Sequence, residues 1–402
     1  MKEREVVIVD GVRTAFGRIG GTLRDIIASK LASIGIKGLL AKTGIKEKAF
    51  VDSVLLGSSL HCSTALNPAR WAAIDSGLGH ETSATYVEMQ CGSAIDAINL
   101  AACKILTNQA DIIIAGGMES YSQMAAKFSM ATPPYKLVPP QYIEWQMSPV
   151  AEERIGMAFT AENLQVKYDI SRKASDEFAL RSQMLAKAAM EAGKFEEEIV
   201  PVIIPATRKT PEVIFKIDEH PRPNSTIEGL AKLAPVFTKD GTITAGNASG
   251  QNDGSAFVLM MSAEKAEQLD YEPMARWICG ADCGCDPKIM GIAPAYAIPT
   301  ALKRAGLKLS DLDIMECNEA FAVQNLAVIK ELENQTGEKV DMDRWNPLGG
   351  AIAYGHPNAA SGARIGIFTM RELIRRGGKY GIFATCCGGG LGVAAIVENL
   401  RR

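Results

Sequence analysis

"SATYVEMQCGSAIDAINLAACKILTNQADIIIAGG", residues 83–117, decides the fold class. "SATYVEMQ" (83–90) reads as a strand. "GSAIDAINLAACKILTN" (92–108) brings Ile95, Ile98, Ala102, Ile105 and Leu106 round at helical spacing. "ADIIIAGG" (110–117) is a second strand, rich in isoleucine and closed by glycines. Strand, helix and strand in succession predict an α/β protein, with Cys91 on the turn that enters the helix.

The same alternation recurs at both ends of the chain. "EVVIVDG" (5–11) predicts a strand and a turn, and 311–332 a strand and then a helix. Residues 361–387 predict a helix, a glycine stop and a strand, and 391–400 a last strand. The middle is differently composed. Residues 121–150 carry methionine, proline and tyrosine without a steady period and read as an ordered excursion or covering loop. A helix follows over about 172–192, with Ser171 as its N-cap and Gly193 as its C′ residue. The two ends share a layout, but no repeat of residue identity accompanies it.

Apolar residues make up 47% of the 402, charged ones 22%, and the net charge is −3. That balance describes a globular chain without the basic surface that nucleic acid or an anionic membrane requires. No apolar run approaches the ~18 residues of a membrane span. "MKEREVVIVDG" shows neither signal nor transit peptide, so the nine cysteines are expected to be free thiols in the cytoplasm. "CGADCGCDPK" (279–288) lacks the second ligand pair of a zinc site, and no metal is expected. The glycine fingerprints of nicotinamide and P-loop nucleotide sites are absent.

Five places can carry chemistry. Cys91 meets the unpaired amides and positive dipole end of a helix, which predicts a lowered thiol pKa and the fastest alkylation in the chain. Position alone equally allows a small residue at a tight turn. His356, in "GGAIAYGHPNAASGAR" (349–364), is either a general base or a hydrogen-bonded turn histidine. In "CNEAFA" (317–322), Asn318 can hold a water or an oxyanion, and Glu319 reads as a helix-start cap. "NASGQNDGSA" (247–256) is a plain loop or a close backbone approach to a ligand. "ATCCGGGLGVA" (384–394) leaves open which of Cys386 and Cys387 matters.

Taken in order, these stretches resemble a thiolase, an acyl-CoA C-acyltransferase, over nearly the whole chain. The resemblance is carried by "RTAFGRIGGTLRD" (13–25), "NPARWAA" (67–73), "QCGSA" (90–94), "GGMESYS" (116–122) and "TAEN" (160–163). It continues through "GNASGQNDG" (246–254), "DPKIMG" (286–291), "NEAF" (318–321), "GGAIAYGHP" (349–357) and "CCGGGLG" (386–392). It implies Cys91 as the acyl-accepting nucleophile and His356 as the base that activates it. It implies Cys386, rather than Cys387, as the second reactive thiol. Asn318 would hold an oxyanion-hole water, and Gly388 would give an N–H to a second hole. For the coenzyme A arm it implies Ser249 and Arg222, and for the acyl and pantetheine tunnel Met157, Met290, Ala320 and Phe321.

The implied fold is α/β, a five-layer α-β-α-β-α arrangement of two similar halves, 1–120 plus 250–275 and 276–402, with a loop domain inserted at 121–249. The implied reaction cleaves 3-ketoacyl-CoA with coenzyme A to acetyl-CoA and a shortened acyl-CoA, or runs in reverse. Coenzyme A and acyl-CoA enter as substrates, with no permanently bound cofactor, in a homodimer or homotetramer. Four places depart from the common pattern: Glu88, Ala94, the pair Asn358-Ala359, and Gly156. They bear on substrate choice more than on reaction class. The alternatives are a thiolase-like acyl-CoA-binding scaffold without turnover, and a ketoacyl or hydroxymethylglutaryl-CoA synthase.

Overall fold

A computed structural model describes residues 4–402 other than 61, 63, 130–134, 137 and 209. The deciding stretch forms a strand, a helix and a strand at Ser83–Val87 (β3), Ser93–Leu106 (α3) and Ile112–Ser120 (β4). Before it come Val6–Thr14 (β1), Ala28–Thr43 (α1), Ser53–Gly57 (β2) and Pro68–Asp75 (α2). After it come Met157–Tyr168 (α4), Arg172–Glu191 (α5), Asn252–Ser262 (β5), Ala275–Gly284 (β6) and Pro294–Ala305 (α6). Leu312–Cys317 (β7), Ala322–Thr336 (α7), Asn358–Arg376 (α8), Tyr380–Cys387 (β8) and Leu391–Asn399 (β9) complete the series.

These nine strands run side by side in the order β7-β8-β9-β6-β1-β5-β4-β2-β3. Their faces explain the apolar runs. On β5, Ala256, Val258 and Met260 face a central core, while Phe257, Leu259 and Met261 face an outer one. On β9, Val393, Ala395 and Val397 face the central core, while Ala394 and Ile396 face the opposite outer one. A strand buried on both faces has no polar side to show. Helices fill the three cores. α1 and α2 lie in the first outer core, α3 and α8 in the centre, and α6 and α7 in the second outer core. The result is five layers, α-β-α-β-α. Each large aliphatic side chain so enclosed contributes about 1.5–3 kcal/mol.

The topology contains a repeat that residue identity hides. From β1, pairing proceeds antiparallel to β5, antiparallel to β4, then parallel to β2. From β6 it proceeds antiparallel to β9, antiparallel to β8, then parallel to β7. α3 precedes β4 as α8 precedes β8, so the two central helices are counterparts. Cys91 stands just before one and His356 just before the other.

The central helices approach closely at their N-terminal ends. A Cβ on Gly362 would stand 2.6 Å from Ile95 Cγ1 and 3.0 Å from Ile95 N. Ala94 is 3.4 Å from that same point, so its methyl fits where the facing helix offers a glycine. Gly362→Val is therefore expected to cost about 1–3 kcal/mol and, by spreading the helix starts, about 10²-fold in turnover. Urea unfolding and steady-state rates measure both; a variant matching wild type in each would refute the packing argument.

Between β4 and β5 the chain leaves this sheet, and Ile199–Val200 returns to pair with β1. Buried Arg13 holds the excursion through Glu198 (2.7 Å) and Asp218 (2.7 and 2.8 Å). Ser171 caps α5 by accepting from Ala174 N at 3.1 Å, and Gly193 beyond its end has φ +67°. The 121–150 stretch, part of which lies outside the described residues, includes a turn at Tyr121–Gln123 and a small pairing of Phe128–Ser129 with Gln141–Tyr142.

Candidate active site

Cys91 follows Gln90, whose φ of +48° turns the chain sharply out of β3. Glu88 steadies that turn: its carboxylate accepts from Gln90 N (2.8 Å) and Gln90 Nε2 (2.7 Å). The Glu88 departure is thus an exposed brace. Ser93 closes the turn, donating to Gln90 O at 2.6 Å and accepting from Met89 N at 2.9 Å.

His356 enters on a strand-like link to Gln251, its amide donating to Gly250 O (3.2 Å) and Asn252 Oδ1 (3.0 Å). Pro357 leads directly into α8, which begins at Asn358. The ring Nδ1 lies 2.6 Å from Ser361 Oγ and 3.4 Å from Asn318 Nδ2. Nε2 has no hydrogen-bond partner among the described residues. When Nδ1–H donates to Ser361, Nε2 keeps a lone pair, which is the tautomer a base requires.

Cys386 and Cys387 end β8, and Gly388 to Gly390 form the hairpin into β9. Gly389 (φ +85°) and Gly390 (φ +84°) take a conformation open to glycine. Alternation separates the two thiols. Cys387 turns into the central core, where a Cβ on Gly92 would be 2.6 Å from its sulfur. Cys386 turns the other way, into a cluster with Met290 and Ala320 against Met157 and Phe321.

One cavity of about 720 Å³ is lined by Cys91, His356, Cys386 and Gly388. Met157, Ser249, Met290, Ala320 and Phe321 line it as well. Ser249 is placed by its amide donating to Ala320 O at 2.9 Å. Asn318 is fully buried beside His356, behind the wall, and its Oδ1 has no partner among the described residues. Arg222 is absent from this wall. It lines a neighbouring cavity with Arg18 and His220, and the two cavities share Ala245, Ala248, Ser249, Gly250 and Gln251. Gly156, the last departure, adds no side chain to the wall it lines beside Met157.

Two expectations are corrected. Burial, and secondarily Glu119, push the Cys91 thiol up to about 12, although the amides of Gly388 and Cys91 itself pull it down. The helix end is outweighed by desolvation. Glu319 does not cap α7, whose N-cap Phe321 has no side-chain cap bond. Its carboxylate is buried and accepts from Ser182 Oγ (2.6 Å), Asn346 Nδ2 (3.0 Å) and Ile352 N (3.3 Å). It ties α5 to the loop before His356.

His356 is held down at about 3 by burial and then by Arg364. Thiol and imidazole are therefore both neutral at pH 7. Sequence reasoning missed Tyr121, Met147 and Phe159 in the wall, because nothing periodic marks them. It also missed Ser361, whose only signal was a hydroxyl five residues after His356, in the first turn of the helix. Among the described residues no group of three or more His, Cys, Asp or Glu is gathered for a metal, and no helix is long and apolar enough to cross a membrane.

The family model for the thiolase N-terminal domain matches residues 6–264, and that for the thiolase C-terminal domain matches 271–399. An acetyl-CoA acetyltransferase of Chromobacterium violaceum is 45% identical over 398 residues, covering 98% of this chain and 100% of that one. The crystal structure of the Bacillus anthracis acetyl-CoA acetyltransferase superposes with a TM-score of 0.91 at 39% identity, covering 99% of both chains. That of human mitochondrial 3-ketoacyl-CoA thiolase in complex with CoA does so with a TM-score of 0.89 at 40% identity, covering 98% of both. With nearly its whole length matched in sequence and in fold, the chain belongs to the thiolase family.

Proposed function

We propose that this protein cleaves 3-ketoacyl-CoA with coenzyme A, releasing acetyl-CoA, and catalyses the reverse condensation, through an acyl group carried on Cys91. The observation that carries the reading is the convergence of Cys91, His356, Cys386 and Gly388, from separate segments, on one cavity.

The chemistry follows from their states. His356 Nε2 takes the Cys91 proton as the sulfur attacks C3, because neither group is charged beforehand. The C2–C3 bond then breaks, its electrons pass to the acetyl-CoA enolate, and Cys386 protonates C2. Coenzyme A gives its thiol proton to the Cys386 thiolate, its sulfur displaces Cys91 from the acyl carbon, and protonated His356 returns its proton to the Cys91 sulfur. The N–H groups of Cys91 and Gly388 meet one oxyanion, and His356 with an Asn318-held water the other; one such donor is worth about 3 kcal/mol of barrier. Ser249 and the shared wall lead the pantetheine arm toward Arg222 and Arg18, the basic end suited to phosphates. Met157, Met290, Ala320 and Phe321 form the apolar sleeve around it. The same reading takes 121–249 as an inserted loop domain and the working unit as a homodimer or homotetramer in the cytoplasm.

Acetoacetyl-CoA mixed with coenzyme A and purified protein is expected to yield two acetyl-CoA per substrate consumed, measured by chromatography. Coenzyme A binding without any product would identify a scaffold instead.

A further inference from the structure

Beyond the reacting groups, the cavity wall holds a polar chain with a fixed direction. Glu119 is buried and only accepts; Ser59 Oγ donates to its Oε2 at 2.6 Å. Ser59 Oγ has then spent its hydrogen and accepts from Asn358 Nδ2 at 3.2 Å. That fixes the amide so that Oδ1 accepts from the Tyr121 hydroxyl at 2.9 Å. Each hydrogen points toward the carboxylate, so the Tyr121 oxygen is left with lone pairs and no proton to give. Tyr121 and Asn358 both line the Cys91 cavity, and neither lines the part shared with the Arg222 cavity. They therefore stand at the acyl end. Among the described residues no Lys, Arg, Asp or Glu lines the cavity, so that wall offers a charged acyl group no partner of opposite sign.

We propose that Tyr121, oriented by Asn358, selects an acyl chain bearing a neutral hydrogen-bond donor, a hydroxyl group, over the plain alkyl chain of the same length. This rests on the thiolysis reading and names its substrate class. The overall reaction is unchanged: 3-oxo-6-hydroxyhexanoyl-CoA and coenzyme A give acetyl-CoA and 4-hydroxybutyryl-CoA. The Cys91 S–C3 bond forms, C2–C3 breaks, a proton reaches C2, and coenzyme A sulfur replaces Cys91 sulfur at C3.

The test compares kcat/KM for 3-oxohexanoyl-CoA with that for its 5-hydroxy, 6-hydroxy and 6-methoxy derivatives. At least one hydroxy substrate is expected to exceed the alkyl one by about tenfold, with the methoxy compound, an acceptor only, gaining nothing. Tyr121→Phe is expected to bring the hydroxy-to-alkyl ratio to about one. Asn358→Leu frees the phenol hydrogen, and the hydroxy-to-methoxy discrimination is expected to disappear. An alkyl substrate cleaved as well as both hydroxy ones, or a preference that survives Tyr121→Phe, overturns the proposal. Binding separates it from the thiolysis reading. Calorimetry on Cys91→Ala with 3-hydroxybutyryl-CoA, 4-hydroxybutyryl-CoA and butyryl-CoA is expected to show a hydroxy ligand held tighter. Tighter binding beside a wild-type enzyme that cleaves nothing would sink the thiolysis reading and keep the pocket; equal binding with no turnover sinks both.

Discussion

Cys91→Ala is expected to lower thiolysis of acetoacetyl-CoA by about 10⁴-fold or more, with the melting temperature close to wild type. The rate falls this far because no other group can carry the acyl chain. Cys387 is walled off in the central core against Gly92, and Cys386, though it lines the same cavity, holds the proton for C2 and is kept protonated by its burial. Water and coenzyme A lack the covalent relay that divides one difficult exchange into two easier ones. Stability is spared because the side chain lines a cavity and alanine keeps the turn, whose bonds come from Glu88, Gln90 and Ser93. Cys91→Ser is expected to rescue little, since an alkoxide forms and leaves less readily than a thiolate. Turnover within about tenfold of wild type would end the assignment.

The readout for Cys91 has to be substrate-derived. Alkylation alone misleads here, because Cys103 is exposed while burial raises Cys91 to about 12. Iodoacetamide is thus expected to mark Cys103 first. Acetyl-CoA reacts where it is bound, so peptide mass spectrometry after acetyl-CoA treatment tests the residue itself.

The fold was legible where a side-chain period met burial. Ile95, Ile98, Ala102 and Ile105 recur at helical spacing because one face of α3 fills the central core. Ser171 and Gly193 marked the ends of α5 because capping is local chemistry. Glu319 misled for the complementary reason. A carboxylate near a helix start is an ordinary cap, but its partners Ser182, Asn346 and Ile352 are remote in sequence. The repeat of β1-β5-β4-β2 in β6-β9-β8-β7 was visible only as layout, since strand direction and order do not depend on identity. At the site, the motif order brought Cys91, His356 and Cys386 forward, and the cavity gathers them. Tyr121 was invisible because its meaning lies in a bond to Asn358, on a helix 237 residues away.

The second large effect belongs to Cys386, and it divides the reaction in two. Cys386→Ala is expected to slow cleavage of acetoacetyl-CoA by about 10²–10⁴-fold, the range for removing a general acid. Exchange of labelled coenzyme A into acetyl-CoA is expected to fall by no more than about tenfold. Acylation of Cys91 from acetyl-CoA and its return to coenzyme A break and form only C–S bonds, and His356 serves both. Carbon–carbon cleavage alone generates the C2 carbanion that a second acid must quench. Cys386 is 1% exposed, among Met290, Ala320, Met157 and Phe321. Burial holds its thiol well above the usual range, with Cys91 as the second cause. That keeps it protonated, ready to give its proton to C2 when the enolate forms. Serine at 386 preserves the volume but is a far weaker acid, and should track alanine in cleavage. If both activities fell together in either variant, Cys386 would be a packing residue and the enolate would be protonated by another group.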